Sequence, residues 1–314
     1  MSLDLLTLSL PIAVMVFLVA LGFSRLGRRV PDQAWRTPRD GAATAAHAGG
    51  APSPPVIAQR SRRTRAVLAL AWSEGRRLLV HPVFLALLVF NLIYSISWIP
   101  DAIAHERPDL LGVAFFAWSF FLGVGVLIAA NLAALRSRRD RTEELYLSLP
   151  MTPARRTVGH LLSAGPAAVA IGLALLGLAV WLSVSGHEVE IDHGRFLTGI
   201  DLADLAVYVG VLVALGVVLA RWVPHPAAGP VAVIGLFVLI GPVSSDSNLE
   251  PLVPWVMPVG GSGWHLLYLT GVAVLLGAIA VLKHGMSRIV GLWLGVGIVL
   301  SAVAGTVASR VLPG

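Results

Sequence analysis

The chain contains no cysteine, which excludes disulfide bonds, zinc–thiolate centres and cysteine nucleophiles. Lysine is almost as scarce, because only Lys283 represents it among the 23 basic residues. The phosphate-cradling loop G-x-x-x-x-G-K-[ST] needs a lysine followed by serine or threonine. Lys283 follows Leu282 and precedes His284, so the chain has no nucleotide site of this type.

Charged residues are also few. They make up 13% of the 314 residues, whereas soluble domains have about a quarter. Hydrophobic residues make up 56%, and the mean hydropathy is +0.81. Uncharged runs of about 20 residues match the hydrocarbon core of a bilayer and are too continuous for alternating barrel strands. The sequence therefore predicts an all-α fold, a polytopic transmembrane helical bundle.

Apolar runs along the chain predict the membrane-spanning helices. The fifth run after the linker, Ala227–Val243, is shorter than the others. The predicted spans are Leu5–Phe23, Pro82–Pro100, Leu110–Ala134, Leu161–Val184, Asp201–Ala220, Ala227–Val243, Trp264–Leu282 and Ile289–Ser309. Leu5–Phe23 has Asp4 before it and arginines after it, unlike a signal peptide, which has a basic start and a small-residue cleavage site. We expect an uncleaved helix there.

The distribution of basic residues predicts the orientation. With the N-terminus outside, all but three of the 23 basic residues lie in cytoplasmic segments; the exceptions are Arg107, Arg195 and Arg310. Such a bias follows the positive-inside rule, and the +6 net charge indicates orientation and lipid contact rather than nucleic-acid binding. We predict a multi-pass protein of the cell (plasma) membrane with residues 135–160 in the cytoplasm.

Two cytoplasmic segments separate the first predicted span from the second. Residues 25–64 are rich in proline, glycine and alanine without periodicity, which indicates a disordered linker. Residues 65–81 are amphipathic, with Leu68, Ala71, Trp72, Gly75 and Leu79 on one side and Ser73, Glu74 and Arg77 away from them. This pattern predicts an interfacial helix with a bend at Pro82, although a simple inward extension of the next span stays open.

The connection between Leu135 and His160 is unusually charged for this chain. Thr142 can cap a short helix with Glu143 and Glu144 in its first turn and Leu145 and Leu149 on one face. Pro150 ends that helix, and Thr152 followed by Pro153 is a second start signal. A charged helix with a small leucine face, held at the cytoplasmic surface, suits the docking of a soluble partner.

The order R-x-x-T-E-E-L-x-x-x-L-P-x-T-P-x-R-R-x-x-G in this connection resembles the cytosolic loop of ABC-2 type transporter permeases. The order of elements is also similar: an elbow helix, six spans, a coupling loop between the second and third, and a broken outer segment before the sixth. The resemblance implies a six-helix ABC-2 type core with an interfacial elbow helix over residues 65–283. It leaves an extra N-terminal span (1–24) and an extra C-terminal span (284–314).

The resemblance further implies a permease subunit of an ATP-driven exporter and no enzyme activity on this chain. The residues that match the coupling segment are Arg139, Thr142, Glu143, Glu144, Leu145, Leu149, Pro150, Thr152 and Arg155. The implied partners are a separate ABC ATPase subunit, which binds ATP and Mg²⁺, and a second permease chain, identical or paralogous. No cofactor is expected on this chain, membrane lipid surrounds it, and no nucleic acid is involved.

Other polar groups leave alternatives open. Asn91, Tyr94, Ser95 and Ser97 form a stripe that lines a translocation path or bonds neighbouring helices. His187, His193 and Asp192 have side chains that can bind a divalent metal, but a solvated outer loop is the favoured interpretation, and no metal is predicted. Asp201 and Asp204 line an outer vestibule or mark a helix end.

Two other function classes also stay open. A non-transporting membrane scaffold would anchor a cytoplasmic partner through the same loop. A secondary carrier is disfavoured because most predicted spans lack ionisable residues.

Overall fold

The computed structural model describes residues 56–104, 110–139, 151–184, 190–192, 195–244 and 263–311. The helices are α1 Val56–Leu79, α2 Pro82–Ala104, α3 Leu110–Arg139, α4 Pro153–Leu162, α5 Ala164–Val184, α6 Gly199–Trp222, α7 Ala228–Ser244, α8 Gly263–Leu282 and α9 Arg288–Val311. A short antiparallel hairpin, β1 Glu190–Asp192 and β2 Arg195–Phe196, joins α5 to α6. The chain divides into Met1–Arg65 and Ala66–Gly314, and the packing described below belongs to the second unit.

Five helices are long and apolar enough to cross a membrane: α3, α6, α8 and α9 singly, and α4 with α5 as one segment. α1 and α2 together form a sixth candidate, bent by 48° at the predicted break before Pro82. α7 is a shorter apolar helix, as its predicted length indicated. Among the described residues the helical, membrane-compatible character is thus confirmed, while the predicted span Leu5–Phe23 lies outside them.

α3 forms the centre of the bundle. Its membrane-length segment is 83% buried, against 22% for α9 at the periphery. α3 packs against α2 and α6, and α6 packs in turn against α5 and α8. The outward faces of α5 and α9 carry exposed apolar side chains, including Leu173, Trp181, Trp293 and Val303, which suits contact with lipid.

Helix α1 differs from its prediction in two ways. It begins at Val56, so residues 56–64, which composition assigned to a linker, are helical. Glu74, predicted to face away from the apolar side, is buried: its Oε1 accepts a bond from Arg77 at 2.6 Å. A Cβ at Gly75 would lie 2.6 Å from Cγ of Pro166, which shows that the start of α5 covers this side of α1.

The helical wheel failed at Glu74 because it separates faces without showing which neighbour covers them. Leu68 and Trp72, on the predicted apolar side, are exposed, as expected of a face turned to the membrane. α1 therefore contacts the protein on one side and keeps an apolar surface on the other.

Candidate functional site

The predicted coupling segment is only partly within the described residues. Arg139 is the last residue of α3, so this helix continues beyond the predicted end of its span at Ala134. Thr142, Glu143, Glu144, Leu145, Leu149 and Pro150 lie outside the described residues. Thr152 and Arg155 open α4, the helix that leads from this segment into α5.

The start of α4 follows the predicted cap chemistry. Thr152 is the N-cap in an extended conformation, and its Oγ1 accepts a bond from the backbone N–H of Arg155 at 3.4 Å. Pro153 occupies the first turn, where its missing N–H costs nothing. The predicted second start signal is therefore confirmed, and the direction in which the chain enters the bundle is defined at Thr152.

α4 contacts more neighbours than its ten residues suggest. It packs against α3, α5, α6 and α8. Thr157 is fully buried, and its Oγ1 lies 2.9 Å from Nε2 of His284 in the loop after α8. A Cβ at Gly159 would lie 2.7 Å from Cδ2 of Leu70, so α1 also touches α4 closely. A displacement of α4 would therefore reach five other helices.

Basic side chains from three helices lie near His160 of α4. Arg221 from α6, Arg156 from α4 and Arg136 from α3 all interact electrostatically with His160. At the same end of α6, Nε1 of Trp222 donates to the carbonyl of Ile279 at 3.0 Å. Cationic groups from three helices thus meet at the end of the bundle that positive-inside counting places in the cytoplasm.

The joint between α1 and α2 is held by His81. Its Nδ1 accepts a bond from the N–H of Val83 at 3.3 Å, and its carbonyl accepts one from Leu85 at 2.9 Å, so His81 caps α2. Burial, with a contribution from Arg136, lowers the pKa of His81 to about 4. The imidazole is therefore neutral at physiological pH, and Nδ1 keeps the lone pair that the cap needs.

The polar stripe on α2 divides into two kinds of residue. Ser95 accepts a bond from Nε1 of Trp118 at 3.2 Å, which is the interhelical role that helix packing predicts. Asn91 is fully buried, and neither its Nδ2 nor its Oδ1 has a hydrogen-bond partner among the described residues. Tyr94 places its ring 5.9 Å from that of Phe121. Asn91 is therefore the member of the stripe whose polar group packing does not explain.

Aromatic rings link α2, α3 and α7 beside this stripe. Phe90 and Phe121 are 4.9 Å apart in an edge-to-face arrangement, and Phe120 makes the same contact with Phe237. Such pairs contribute about 0.5–1.5 kcal/mol beyond their buried area. Aromatic contacts therefore join α2, which carries Asn91, to α3, and join α3 in turn to α7.

We expect Asn91→Leu to stabilise the folded protein by about 1–3 kcal/mol, because an unpaired buried amide costs that much. If Asn91 serves a translocation path, transport falls despite the gain. Chemical denaturation in mixed micelles measures the change in stability. Asn131→Leu is the matched control: the Nδ2 of Asn131 donates to the carbonyl of Gly216 at 3.3 Å, so its loss destabilises the protein. Equal destabilisation in both variants would contradict the interpretation of Asn91.

The outer loop proposed as an alternative metal site is a hairpin in part. Asp192 lies in β1, whereas His187 and His193 are outside the described residues. Within the ranges that the structure describes, no group of three or more His, Cys, Asp or Glu residues is arranged to hold a metal. Asp201 forms a capping box with Thr198 at the start of α6, so the helix-end interpretation of Asp201 is confirmed.

A contact between an aspartate and a histidine on two different helices was not anticipated from the sequence. Oδ2 of Asp204 on α6 lies 2.8 Å from Nδ1 of His265 on α8, and the two residues are 5% and 1% exposed. The separation along the chain hides this pair, because only the packing of α6 against α8 brings the two together. An ionisable pair inside membrane-length helices weakens the earlier argument against an ion-coupled carrier.

Comparisons with protein-family models, with curated proteins and with solved structures return no match. The function of this chain is therefore inferred from its own residues and from the contacts between its helices.

Proposed function

We propose that the chain is the transmembrane permease subunit of an ATP-driven ABC-2 type exporter, coupled through residues 135–160 to a separate ATPase subunit. The observation that carries this proposal is the position of α4. This helix begins at Pro153, with Thr152 as its N-cap directly after the predicted docking helix, and it contacts five other helices. A force applied by a partner to the docking helix would pass through the Thr152 cap into the bundle.

The contacts of α4 suggest how such a force would be distributed. Through Thr157 and His284, it would act on the end of α8. Through Gly159 and Leu70, it would act on α1. Because α4 also packs against α3 and α6, the helices at the centre of the bundle would shift with it. In this mechanism, closure of two ATPase subunits changes the packing of the spans and opens an outward path.

The proposal includes a location and partners. The protein lies in the plasma membrane with its N-terminus outside and residues 135–160 in the cytoplasm. Two permease chains, identical or paralogous, assemble with two ATPase subunits, and ATP and Mg²⁺ bind only to the ATPase. The six-helix ABC-2 core with one additional span at each end is the corresponding architecture.

Co-purification with the ATPase tests the proposal. We expect the combined variant Glu143→Ala, Glu144→Ala and Leu145→Ala to lose the ATP-binding partner, because acidic and leucine contacts would form the docking face. The matched control changes Glu188, Val189 and Glu190 to alanine, which removes the same residue classes from the predicted outer loop. Unchanged recovery of the partner with the first variant would count against the proposed coupling site.

Transport in reconstituted vesicles separates the function classes. The proposed permease moves its substrate only with the ATPase and ATP present. A scaffold would retain the ATPase without any ATP-dependent movement. The Asp204–His265 pair favours an ion-coupled carrier as the second candidate, and uptake driven by an ion gradient without ATP would support it.

A further inference from the structure

The pair formed by Asp204 and His265 links two membrane-length helices near the end at which both begin. Asp204 is in the second turn of α6, and His265 is the third residue of α8. At a rise of about 1.5 Å per residue, Asp204 is therefore roughly 8 Å from the start of its helix. The positive-inside orientation makes this the outer end of the bundle. A proton from the outer aqueous phase therefore has only a short distance to travel to the pair.

The geometry of the pair suits proton exchange. Nδ1 of His265 and Oδ2 of Asp204 are 2.8 Å apart, within hydrogen-bond distance. The second carboxylate oxygen, Oδ1, is buried without a hydrogen-bond partner in the described residues, and the Asp204 side chain is only 7% exposed. A carboxylate that was only structural would be expected to have both oxygens satisfied.

Charge balance gives the pair two states. A neutral imidazole that donates from Nδ1 to the carboxylate leaves one net negative charge in an apolar environment, which is costly. Uptake of one proton makes the pair neutral overall, either as imidazolium with carboxylate or as imidazole with carboxylic acid. The same contact between Nδ1 and Oδ2 is compatible with both states, so the pair can remain joined while its charge changes.

Ionisable residues are sparse on the described helices that pack against α6 and α8. No ionisable residue occurs in α5, in α7, or in α3 between Leu110 and Leu135. The titratable or charged residues on the other described elements packed against α6 or α8 are Asp201 and Tyr208 on α6, Tyr268 on α8, and Arg288 and Arg310 on α9, together with the α4 group around His160. α9 runs antiparallel to α8, so Arg310 lies at the same end of the bundle as the pair, whereas Arg288 and the α4 group lie at the opposite end. Asp201 is already engaged by the Thr198 cap. Asp204 and His265 are therefore the two ionisable side chains in direct contact across α6 and α8 at this end of the described helices.

We propose that Asp204 and His265 form a proton-binding site accessible from the outer side, and that its occupancy controls the packing of α6 against α8. The site does not depend on the ATPase proposal, because it lies at the opposite end of the bundle from α4. In a permease it would make the outer end of the path responsive to external pH. In a carrier it would bind the coupling ion.

Infrared difference spectroscopy of the full chain in lipid nanodiscs, without any partner, tests proton binding. On acidification we expect a band of the protonated pair, either the C=O band of a buried carboxylic acid or an imidazolium ring band, that is absent from Asp204→Asn. A pH-indicator assay should find that Asp204→Asn takes up one proton fewer per chain than the unmodified protein. His265→Gln should shift the midpoint of the band, whereas His225→Gln, at an exposed position, should leave it unchanged.

Spin-label distances test the structural consequence. Because the chain has no cysteine, Ile200→Cys on α6 and Leu267→Cys on α8, both at exposed positions, can be labelled without background. The distance distribution should change over the same pH range as the infrared band and should stay constant in Asp204→Asn. Asp204→Glu should restore a pH-dependent change in this distance.

Two results would overturn the proposal. The first is identical proton uptake by the unmodified protein, Asp204→Asn and His265→Gln, which would make the pair a static packing contact. The second is a band that responds to a monovalent metal cation but not to pH. If Asp204→Asn does not fold, the pH midpoint of the infrared band is the test. It should differ from that of the unmodified protein in His265→Gln and stay the same in His225→Gln. Loss of ATPase binding in the docking-helix variant would leave all these results unaffected.

Discussion

Gly216→Ala is expected to lower the free energy of unfolding by about 1–3 kcal/mol, the usual cost of overpacking a tight contact. A Cβ at Gly216 would lie 2.5 Å from the carbonyl oxygen of Leu127 and 3.0 Å from the backbone N of Asn131. Backbone atoms of α3 cannot rotate away, so α3 and α6 must separate. Separation would also stretch the bond from Nδ2 of Asn131 to the carbonyl of Gly216.

Gly210→Ala is the matched control for this substitution. Gly210 lies in the same helix, but a Cβ there meets no atom within 4 Å. Because alanine favours a helix by about 1 kcal/mol over glycine, Gly210→Ala should leave stability unchanged or raise it slightly. Unfolding of both variants by SDS in mixed micelles gives the comparison. Equal stability of the two variants would mean that α3 and α6 are not in the close contact described here.

The elements that sequence reasoning placed well are those defined by local chemistry. Thr152 and Pro153 predict the start of α4 because a cap and the first turn involve neighbouring residues. The bend before Pro82 follows in the same way. Span positions are also largely predictable, since apolar runs of membrane length are local properties of the chain.

The contacts that sequence reasoning missed join residues that are far apart along the chain. Asp204 and His265 are 61 positions apart, and Thr157 and His284 are 127 apart. A helical wheel assigned Glu74 to a polar face, whereas the fold buries this side chain. Partners on other helices depend on which helices are neighbours, and a single sequence does not contain that information.

The role of the last helix, which the family resemblance treats as additional, follows from its packing on α8. The two helices meet at two glycines: a Cβ at Gly271 would lie 2.6 Å from the backbone N of Ser301, and a Cβ at Gly297 would lie 2.7 Å from the backbone N of Leu275. Small residues let helices approach closely within a membrane, where dispersion contacts drive association. α9 also belongs to the same compact unit as α8.

We therefore expect Gly297→Leu to displace α9 and to lower the free energy of unfolding by about 1–3 kcal/mol or more, since the added side chain meets the backbone of α8. Gly295→Leu is the control in the same helix, because a Cβ at Gly295 meets nothing within 4 Å. Spin labels at Leu267→Cys and Val303→Cys, both exposed positions, should report a longer α8–α9 distance only in Gly297→Leu.

The same pair of variants shows whether α9 takes part in function. α8 also carries His265, and its end meets α4 through His284. If α9 supports α8 in that position, Gly297→Leu should impair both the pH response of the outer pair and the coupling through α4, while Gly295→Leu impairs neither. An unchanged distance and unchanged stability in Gly297→Leu would instead place α9 away from α8 in the membrane, and the last helix would then be separable from the bundle.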